Sequence, residues 1–485
     1  MQTPIQVVLG IPDAGGALFL FADDMRAIGG PDDCDRVLAV VRLCDGSRTT
    51  ADIVSTAAES GIAAETARAI LEALYAAHVV IDGDAGDRSE LQRANRLIAT
   101  FVGSDRLVTE LDAYRPCVAD DTMLPYFAAS GRFKYPDGVD YVSFGTAETP
   151  EGAVLRAIAE AVERFAHGSD IRIDAFGTAD VGPTRVFDAV TCQQRSFLDE
   201  RGFVAYDPTA AHPWVRAESL ASGKPTYVLA DTVYYPATEE QLGRPLVSDA
   251  IASGTAAHFD RGEAIRRGLL EVIERDALAV MWWSKRPVTA LPLELASPDI
   301  QQRIAEWEQR GREFRLIDLT TDSVPVVLAL SRADSYPYVT AGCAAATTYA
   351  AAIEKAYLES ETIAHTWAVA PEPKQEPDAF LSAMGHGLLY AHRGNEHRLA
   401  WLYDGPVVAP TIRPIAWDEL VARFEPLVVD LRVASSADDL WVVKVLSDEL
   451  LPITFGHMSE PHGHPRLAKL GLAWEAYPGY PHFLA

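Results

Sequence analysis

Short apolar runs separated by turn residues open the chain. Gln6-Val7-Val8-Leu9 and Ala17-Leu18-Phe19-Leu20-Phe21 have the length and composition of strands. The pattern then changes to a helical period across Asp35 to Leu43, and Asp45-Gly46 supplies a turn. Thr49 or Thr50 is placed to cap a second helix from Ala51 to Glu59, Gly61 ends it, and a third helix runs from Ala64 to about Ala77. Val79-Val80-Ile81 reads as a closing strand. Small strands around three short helices form a winged-helix pattern. The polar, glycine-rich stretch from Asp82 to Ser89 marks its boundary, so residues 1–88 are expected to form one domain and residues 89–485 another. From there helical and strand-like stretches alternate to the end, as in a mixed α/β (α+β) core.

Within the larger part a weak repeat is visible. Gly145-Thr146-Ala147 precedes a helix from Gly152 to Ala166 that carries Glu160 and Glu163 followed by Arg164. Gly254-Thr255-Ala256 precedes a helix from Gly262 to Trp283 with Glu271, Glu274 and Arg275. Gly342-Cys343-Ala344 precedes a helix from Tyr349 to Trp367 with Glu359. The second and third units share one offset from glycine to first glutamate, and the first is two residues shorter. Residues three apart lie on one helix face, so two of the helices present paired carboxylates. Such pairs are usually a solvated surface. The second helix departs from that reading, because Leu269-Leu270, Val272-Ile273 and Ala277 to Trp283 place apolar residues on nearly every side, the mark of a buried helix. Carboxylates on a buried helix need a counter-charge, and a divalent cation shared with phosphate oxygens is one that suits several acids together.

Composition narrows the function classes. The 485 residues are too many for one ordinary core. A formal net charge of −27 is the wrong sign for nucleic acid. No apolar run approaches the roughly eighteen residues of a membrane span. Met1-Gln2-Thr3-Pro4 lacks a basic region leading into an apolar one, so a cytoplasmic protein is expected. Five scattered cysteines, none in a C-x-x-C pair, argue against a disulfide framework or a structural zinc site.

The central stretch carries a family resemblance. Ser248 to Gly254, then Glu263-Ala264-Ile265, then Gly268-Leu269-Leu270-Glu271-Val272-Ile273-Glu274-Arg275-Asp276-Ala277 closely resembles the YcaO family motif. Ala159 to Arg164 is similar to the family's earlier acidic helix, and Ala356-Tyr357-Leu358-Glu359 to its third. The likeness covers roughly residues 90 to 485. It implies a YcaO-type ATP-binding fold without a Walker A loop, and the chain indeed has no G-x-x-x-x-G-K-[ST]. It implies that Glu160, Glu163, Glu271, Glu274 and Glu359 hold Mg2+ and the phosphates of ATP. Arg275 is then expected to contact phosphate, and Arg275 and Glu359 to serve catalysis; Arg164 is expected to be a structural partner. It implies activation of a peptide amide through phosphorylation of its oxygen. The product is a thiazoline or oxazoline with a Cys, Ser or Thr nucleophile, a thioamide with sulfide, or an amidine with an amine. The N-terminal segment, including Leu43 to Thr49, resembles the PqqD-like elements that bind leader peptides of ribosomally made natural products by strand addition. The implied partners are thus a precursor peptide bound by residues 1–88, a partner biosynthetic protein, and a second copy in a homodimer, with no nucleic acid and no membrane.

The chain departs from the family pattern at four places. Thr362 and Ala364 stand where the third helix usually has glutamine and arginine, with Glu361 and His365 off that face. Arg156 replaces a common serine, and the tail from Tyr477 to Ala485 contains prolines but not P-x-P-x-P. These leave room for a degenerate scaffold that delivers a precursor to a partner. His457, His462 and His464 cluster near prolines in what reads as an exposed loop, and Trp282-Trp283 reads as core.

Overall fold

The computed structural model describes residues 4–6, 8–13, 16–20, 25–45, 47–77, 79–82, 89–114, 126–134, 140–169, 171–192, 202–248, 250–322, 324–368, 372, 383–411, 415–432, 439–455, 461–475 and 480–484. The expected linker after Asp82, Cys117, Asp249, His457 and the tail residues Tyr477 to Gly479 and Ala485 lie outside the described residues. The chain divides into two compact units. One comprises Met1–Ser169, Ala257–Asp260 and Arg432–Val442; the other comprises Asp170–Ala256, Arg261–Leu431 and Val443–Ala485.

In the first unit, β1 (Pro4–Gln6) is followed by the antiparallel meander β2 (Leu9–Asp13), β3 (Gly16–Leu20) and β4 (Met25–Ile28). β4 was not legible in the sequence, since four residues holding an arginine show no period. Helices α1 (Cys34–Leu43), α2 (Thr50–Glu59) and α3 (Ala64–Ala76) follow, and β5 (Val80–Asp82) pairs antiparallel with β1. α2 starts at a capping box. The Thr49 hydroxyl accepts from the Asp52 N–H, and the Asp52 carboxylate accepts from the Thr49 N–H at 3.0 Å. Gly61, after its end, sits at φ +88°, where a side chain would be strained. Phe19, Val37, Val40, Ile53, Leu71 and Val80 belong to the core of these elements. Next come α4 (Ser89–Phe101) and a sheet of β6 (Val108–Tyr114), β7 (Phe127–Lys134) and β8 (Asp140–Ala147), on which α5 (Pro150–Ser169) packs.

The second unit holds two sheets. In one, β9 (Ala175–Gly177), β10 (Thr184–Arg185), β11 (His212–Ser219), β12 (Pro225–Leu229) and β18 (Leu427–Arg432) surround β11 and β12, and residues of β13 (Thr255–His258) and β19 (Trp441–Leu446) continue it. The other is the antiparallel sheet β14 (Thr289–Ala290), β15 (Arg312–Asp318), β16 (Val326–Ala333) and β17 (Val339–Ala345), with Ile317 opposite Leu328 and Leu328 opposite Cys343. Three helices matter below: α6 (Arg261–Ser284), α7 (Pro298–Gln309) and α8 (Tyr349–Ala368).

α6 is the buried helix its composition predicts. Its Leu269, Ile273 and Met281 share one core with Leu328 and Leu330 of β16 and with Val443 and Val445. Trp282 and Trp283 are core residues, 0% and 3% exposed. Asp276, also fully buried, is held by the Arg466 guanidinium at 2.6 Å and by the Leu451 N–H at 2.7 Å. The last described residues are built into this core: the Phe483 ring meets Trp282 edge-on at 5.8 Å, and Tyr390 donates to the Pro481 carbonyl. Among the described residues no helix is long and apolar enough to cross a membrane, and Cys34, Cys44, Cys192 and Cys343 form no disulfide.

Candidate functional site

The acids of α6 and α8 meet in the second unit. Glu271 and Glu274 stand one turn apart, and Arg275 follows. The Arg275 guanidinium lies 3.7 Å from Glu271 and 3.8 Å from Glu274, at the edge of ion-pair reach. Each carboxylate also accepts a backbone N–H from a strand or turn. Glu271 takes that of Gly254 at 3.2 Å, Glu274 that of Ala345 at 3.0 Å, and Glu359 that of Cys343 at 2.9 Å. β17 therefore supplies donors to both helices, and its glycine makes the approach possible. A Cβ on Gly342 would lie 2.2 Å from the Ala356 carbonyl oxygen and 2.8 Å from the Glu359 Cβ. Gly254 is constrained twice, by φ +83° and by the Val445 carbonyl oxygen 2.2 Å from where its Cβ would be.

Burial in the company of other acids dominates the electrostatics. Burial raises the Glu274 pKa to about 8; Arg275 works against this, and Glu359 and Glu271 add to it. Glu359 is raised too, by burial first. Burial opposes the Arg275 charge, yet Glu274, Glu271 and Glu359 together lift its pKa. The buried Cys343 thiol is pushed well up by burial and by Glu274 and Glu359, which keeps it a neutral thiol. At neutral pH Glu274 thus holds a proton. With all three carboxyls ionised around one guanidinium the site is anionic, a charge that a divalent cation suits. Among the described residues no three His, Cys, Asp or Glu side chains stand close enough to hold a metal ion by themselves. Mg2+ usually takes one or two carboxylates and completes its shell with phosphate and water oxygens.

The other two sequence-identified acids, Glu160 and Glu163, stand together on α5 in the first unit. Glu160 accepts from the Phe144 N–H at 2.6 Å and is gripped by Arg164 through Nε at 2.8 Å and Nη2 at 2.6 Å, the structural partnership expected of Arg164. Glu163 accepts from the Ala257 N–H at 3.1 Å. β8–α5 and β17–α8 share a packing device, since a Cβ on Gly145 would meet the Ala153 carbonyl oxygen at 2.2 Å, the distance that Gly342 shows to Ala356. Their acids differ in position. Arg156 lies over Gly145 where Glu359 lies over Gly342, so Glu160 engages its strand one helical turn later than counting from the glycine suggests.

Departures from the family pattern have structural correlates. Ala364 is 1% exposed, with its neighbours in the core, and the Thr362 hydroxyl is buried with no hydrogen-bond partner among the described residues. Glu361 faces a different set: it accepts from Trp307 Nε1 at 2.9 Å and Tyr357 at 2.8 Å and pairs with Arg303 of α7. One expectation is corrected. The stretch with His462 and His464 is not an exposed loop, because His464 is 2% exposed and the His462 ring packs on Trp474 at 4.6 Å. Aromatic burial outweighed the local proline and glycine signal.

Sequence reasoning missed Lys444. This lysine in the apolar strand β19 is 2% exposed, and its ammonium donates to the carbonyls of Ile251 and, at 2.7 Å, Ser253. With the Val445 N–H bonded to the Gly254 carbonyl at 2.8 Å, it clamps the turn that delivers the Gly254 N–H to Glu271. One charge amid five apolar positions was the available signal.

Comparison with known proteins places this geometry. The sequence model of YcaO cyclodehydratases, described as ATP- and Mg2+-binding, matches residues 144–451. An uncharacterized protein of Methanothermobacter thermautotrophicus is 32% identical over 114 residues, 23% of this chain and 29% of that one. Among solved structures, a heterocyclase in complex with substrate and cofactor is similar with a TM-score of 0.61 at 21% identity. That match takes in 78% of this chain and 54% of the heterocyclase, so the chain spans about half that protein's length. YcaO from Methanopyrus kandleri, bound with AMPPCP and Mg2+, gives a TM-score of 0.51 at 20% identity over 71% of this chain and 86% of its own. The E. coli microcin synthetase McbBCD complex gives 0.54 at 15% identity over 71% and 88%. At these identities the solved structures speak for the fold.

Proposed function

Because the chain belongs to the YcaO family, whose cofactors are ATP and Mg2+, we propose that it activates a backbone amide of a ribosomally made precursor peptide. The favoured reaction is cyclodehydration of Cys, Ser or Thr to thiazoline or oxazoline. The observation that carries this reading is the convergence of Glu271, Glu274 and Glu359 on Arg275 in a buried setting. Bound MgATP supplies the phosphoryl group that turns an amide oxygen into a leaving group. In the second unit Glu271, Glu274 and Glu359 would supply carboxylates to the cation, and in the first unit Glu160 and Glu163 on α5 are the ligand candidates that the family resemblance implies. Glu274 must give up its proton to serve as a ligand. Arg275 is placed to meet negative charge that builds on oxygen, and the N–H groups of Gly254, Cys343 and Ala345 hold the acids in place so that little reorganisation accompanies the reaction.

The same reading assigns residues 1–88 to leader recognition as a PqqD-like winged helix, with residues 89–485 as a catalytic domain of repeated glycine-turn and acidic-helix units. Among the described residues β4 pairs only with β3, and an edge of that kind supports a reading by strand addition. A homodimer and a partner biosynthetic protein belong to this reading as well.

Calorimetric titration of MgATP, followed by incubation with a precursor peptide, tests it. Binding that Glu271→Gln abolishes, together with phosphate release and loss of one water per modified residue, is the expected result. Exchange of oxygen for sulfur would redirect the reading to a thioamide. Binding of peptide without any nucleotide turnover would leave a delivery scaffold, the outcome that the buried Ala364 favours.

A further inference from the structure

Beside the acids, the second unit contains a cavity of about 140 Å³. Arg275 forms part of its wall, with Val272 one turn earlier on α6, Ile251 from the clamped turn, and Ile453 and Phe455. Most of the wall is apolar. A cavity of roughly 150 Å³ has room for a benzene-sized guest, and this one is open to solvent, so a side chain can enter it.

The polar atoms on the wall indicate what else the guest carries. His464 is 2% exposed and lines the cavity. Its Nδ1 accepts from the Arg466 N–H at 3.3 Å, so its proton sits on Nε2, and that buried donor has no hydrogen-bond partner among the described residues. The Thr454 hydroxyl, also on the wall, is buried and has no hydrogen-bond partner among the described residues, and Arg275 Nε, 3.8 Å from Glu274, makes no hydrogen bond among them. Buried donors without acceptors are rare in folded proteins and call for an acceptor. Lys444 adds no such demand, since its ammonium is engaged by two carbonyls. An apolar body with carbonyl oxygens attached is a peptide residue with an apolar side chain. An ionised side chain would lose its hydration there.

The geometry points to a specificity subsite: the cavity takes the apolar or aromatic side chain of the precursor residue that flanks the activated amide. The inference rests on the amide-activating function proposed above. Its logic is positional, since one guanidinium belongs to both the acid cluster and the cavity wall. A side chain seated in the cavity therefore brings its own backbone next to Arg275, which is how binding energy at a remote group orients a reacting one.

Precursor peptides carrying Gly, Ala, Leu, Phe or Asp at each position flanking the modified residue provide the test. The expected result is that kcat/KM for Leu or Phe at one of these positions exceeds that for Gly or Asp by about tenfold or more. Ile251→Trp, which fills the cavity, reverses that order, and Ile251→Ala moves the optimum to the larger side chain. Modification that proceeds with kcat/KM indifferent to both flanking residues overturns the subsite and leaves the enzyme reading intact. If no peptide is modified, the amide-activating reading fails, and the cavity is then judged by binding of N-acetyl-phenylalaninamide. Wild-type binding lost in Ile251→Trp and retained in Ile251→Ala supports the subsite. No binding, or competitive displacement by ATP alone, overturns it.

Discussion

The Glu274 carboxylate accepts the backbone N–H of Ala345 at 3.0 Å, joining the middle of α6 to the strand that leads into α8. One side chain thereby registers two acidic helices against each other, and it does so as a group that burial keeps protonated near neutral pH. Function asks it to be a carboxylate while the fold favours the neutral acid.

Glu274→Gln separates these demands. An unfolded glutamate ionises near its ordinary value, whereas the folded one stays protonated up to about pH 8, so folding near neutrality costs the proton uptake. The amide avoids that cost. We expect the nucleotide-free variant to be more stable at pH 7, by on the order of 1–3 kcal/mol, and to bind MgATP at least about tenfold more weakly, roughly 1.4 kcal/mol. Thermal denaturation and calorimetric titration of the same preparation check both. A variant less stable than wild type would contradict this account of the site.

Gly342→Ala should be severe. The added methyl has no room between the Ala356 carbonyl and the Glu359 Cβ, and both are fixed by α8. A loss of at least about 3 kcal/mol is expected, with the acid cluster disturbed as well. Gly30→Ala, where nothing lies within 4 Å, is the control and should stay within roughly 0.5 kcal/mol of wild type. Urea unfolding midpoints measure the contrast.

The pair His386 and His482 makes stability depend on acidity. Their Nδ1 atoms are 3.4 Å apart, and His482 Nε2 donates to the Thr454 carbonyl at 2.9 Å. Burial lowers His386 to about 4. Burial, then His386, with Arg275 and Lys285 adding, lowers His482 well below 6.5. The unfolded chain takes up protons near pH 6.5 and these folded imidazoles do not, so the pair's contribution to stability falls as pH drops from about 6.5 toward 4 and is level above, while Glu274 contributes the opposite slope between about 4.5 and 8. His386 alone accounts for about 2–3 kcal/mol of that fall. Urea midpoints of wild type and His386→Gln between pH 4 and 6.5 isolate this contribution, and the variant should gain stability relative to wild type as pH falls.

Asp276→Asn tests the support beneath α6. Arg466 pairs with Asp276 and Asp322, and all three are largely out of water. Removing one buried charge leaves the guanidinium with Asp322 alone, and a loss of up to about 3 kcal/mol is expected. The hydrophobic replacement pair Asp276→Leu with Arg466→Met should recover part of it, which chemical denaturation of single and double variants measures.

Local physics was legible in the amino-acid order. The i, i+3 spacing puts Glu271 and Glu274 on one face, the apolar residues around them mark α6 as buried, and Thr49 with Asp52 announces the start of α2. Each of these depends on neighbours within a turn or two. The Gly254-to-Glu271 motif names the family for the same reason, being one continuous stretch. What the tertiary structure alone decided depends on residues far apart in sequence. Ala345 reaches Glu274 and Lys444 reaches Ile251 and Ser253 across long separations. The protonated state of Glu274 comes from burial and from Glu359 as much as from its own helix. His464 is enclosed where proline and glycine suggested a loop, and the cavity behind Arg275 draws its walls from stretches far apart in the chain. Periodicity records which face of an element is buried; it carries no record of what that face is buried against, and donors, charges and cavities are properties of the partner surface.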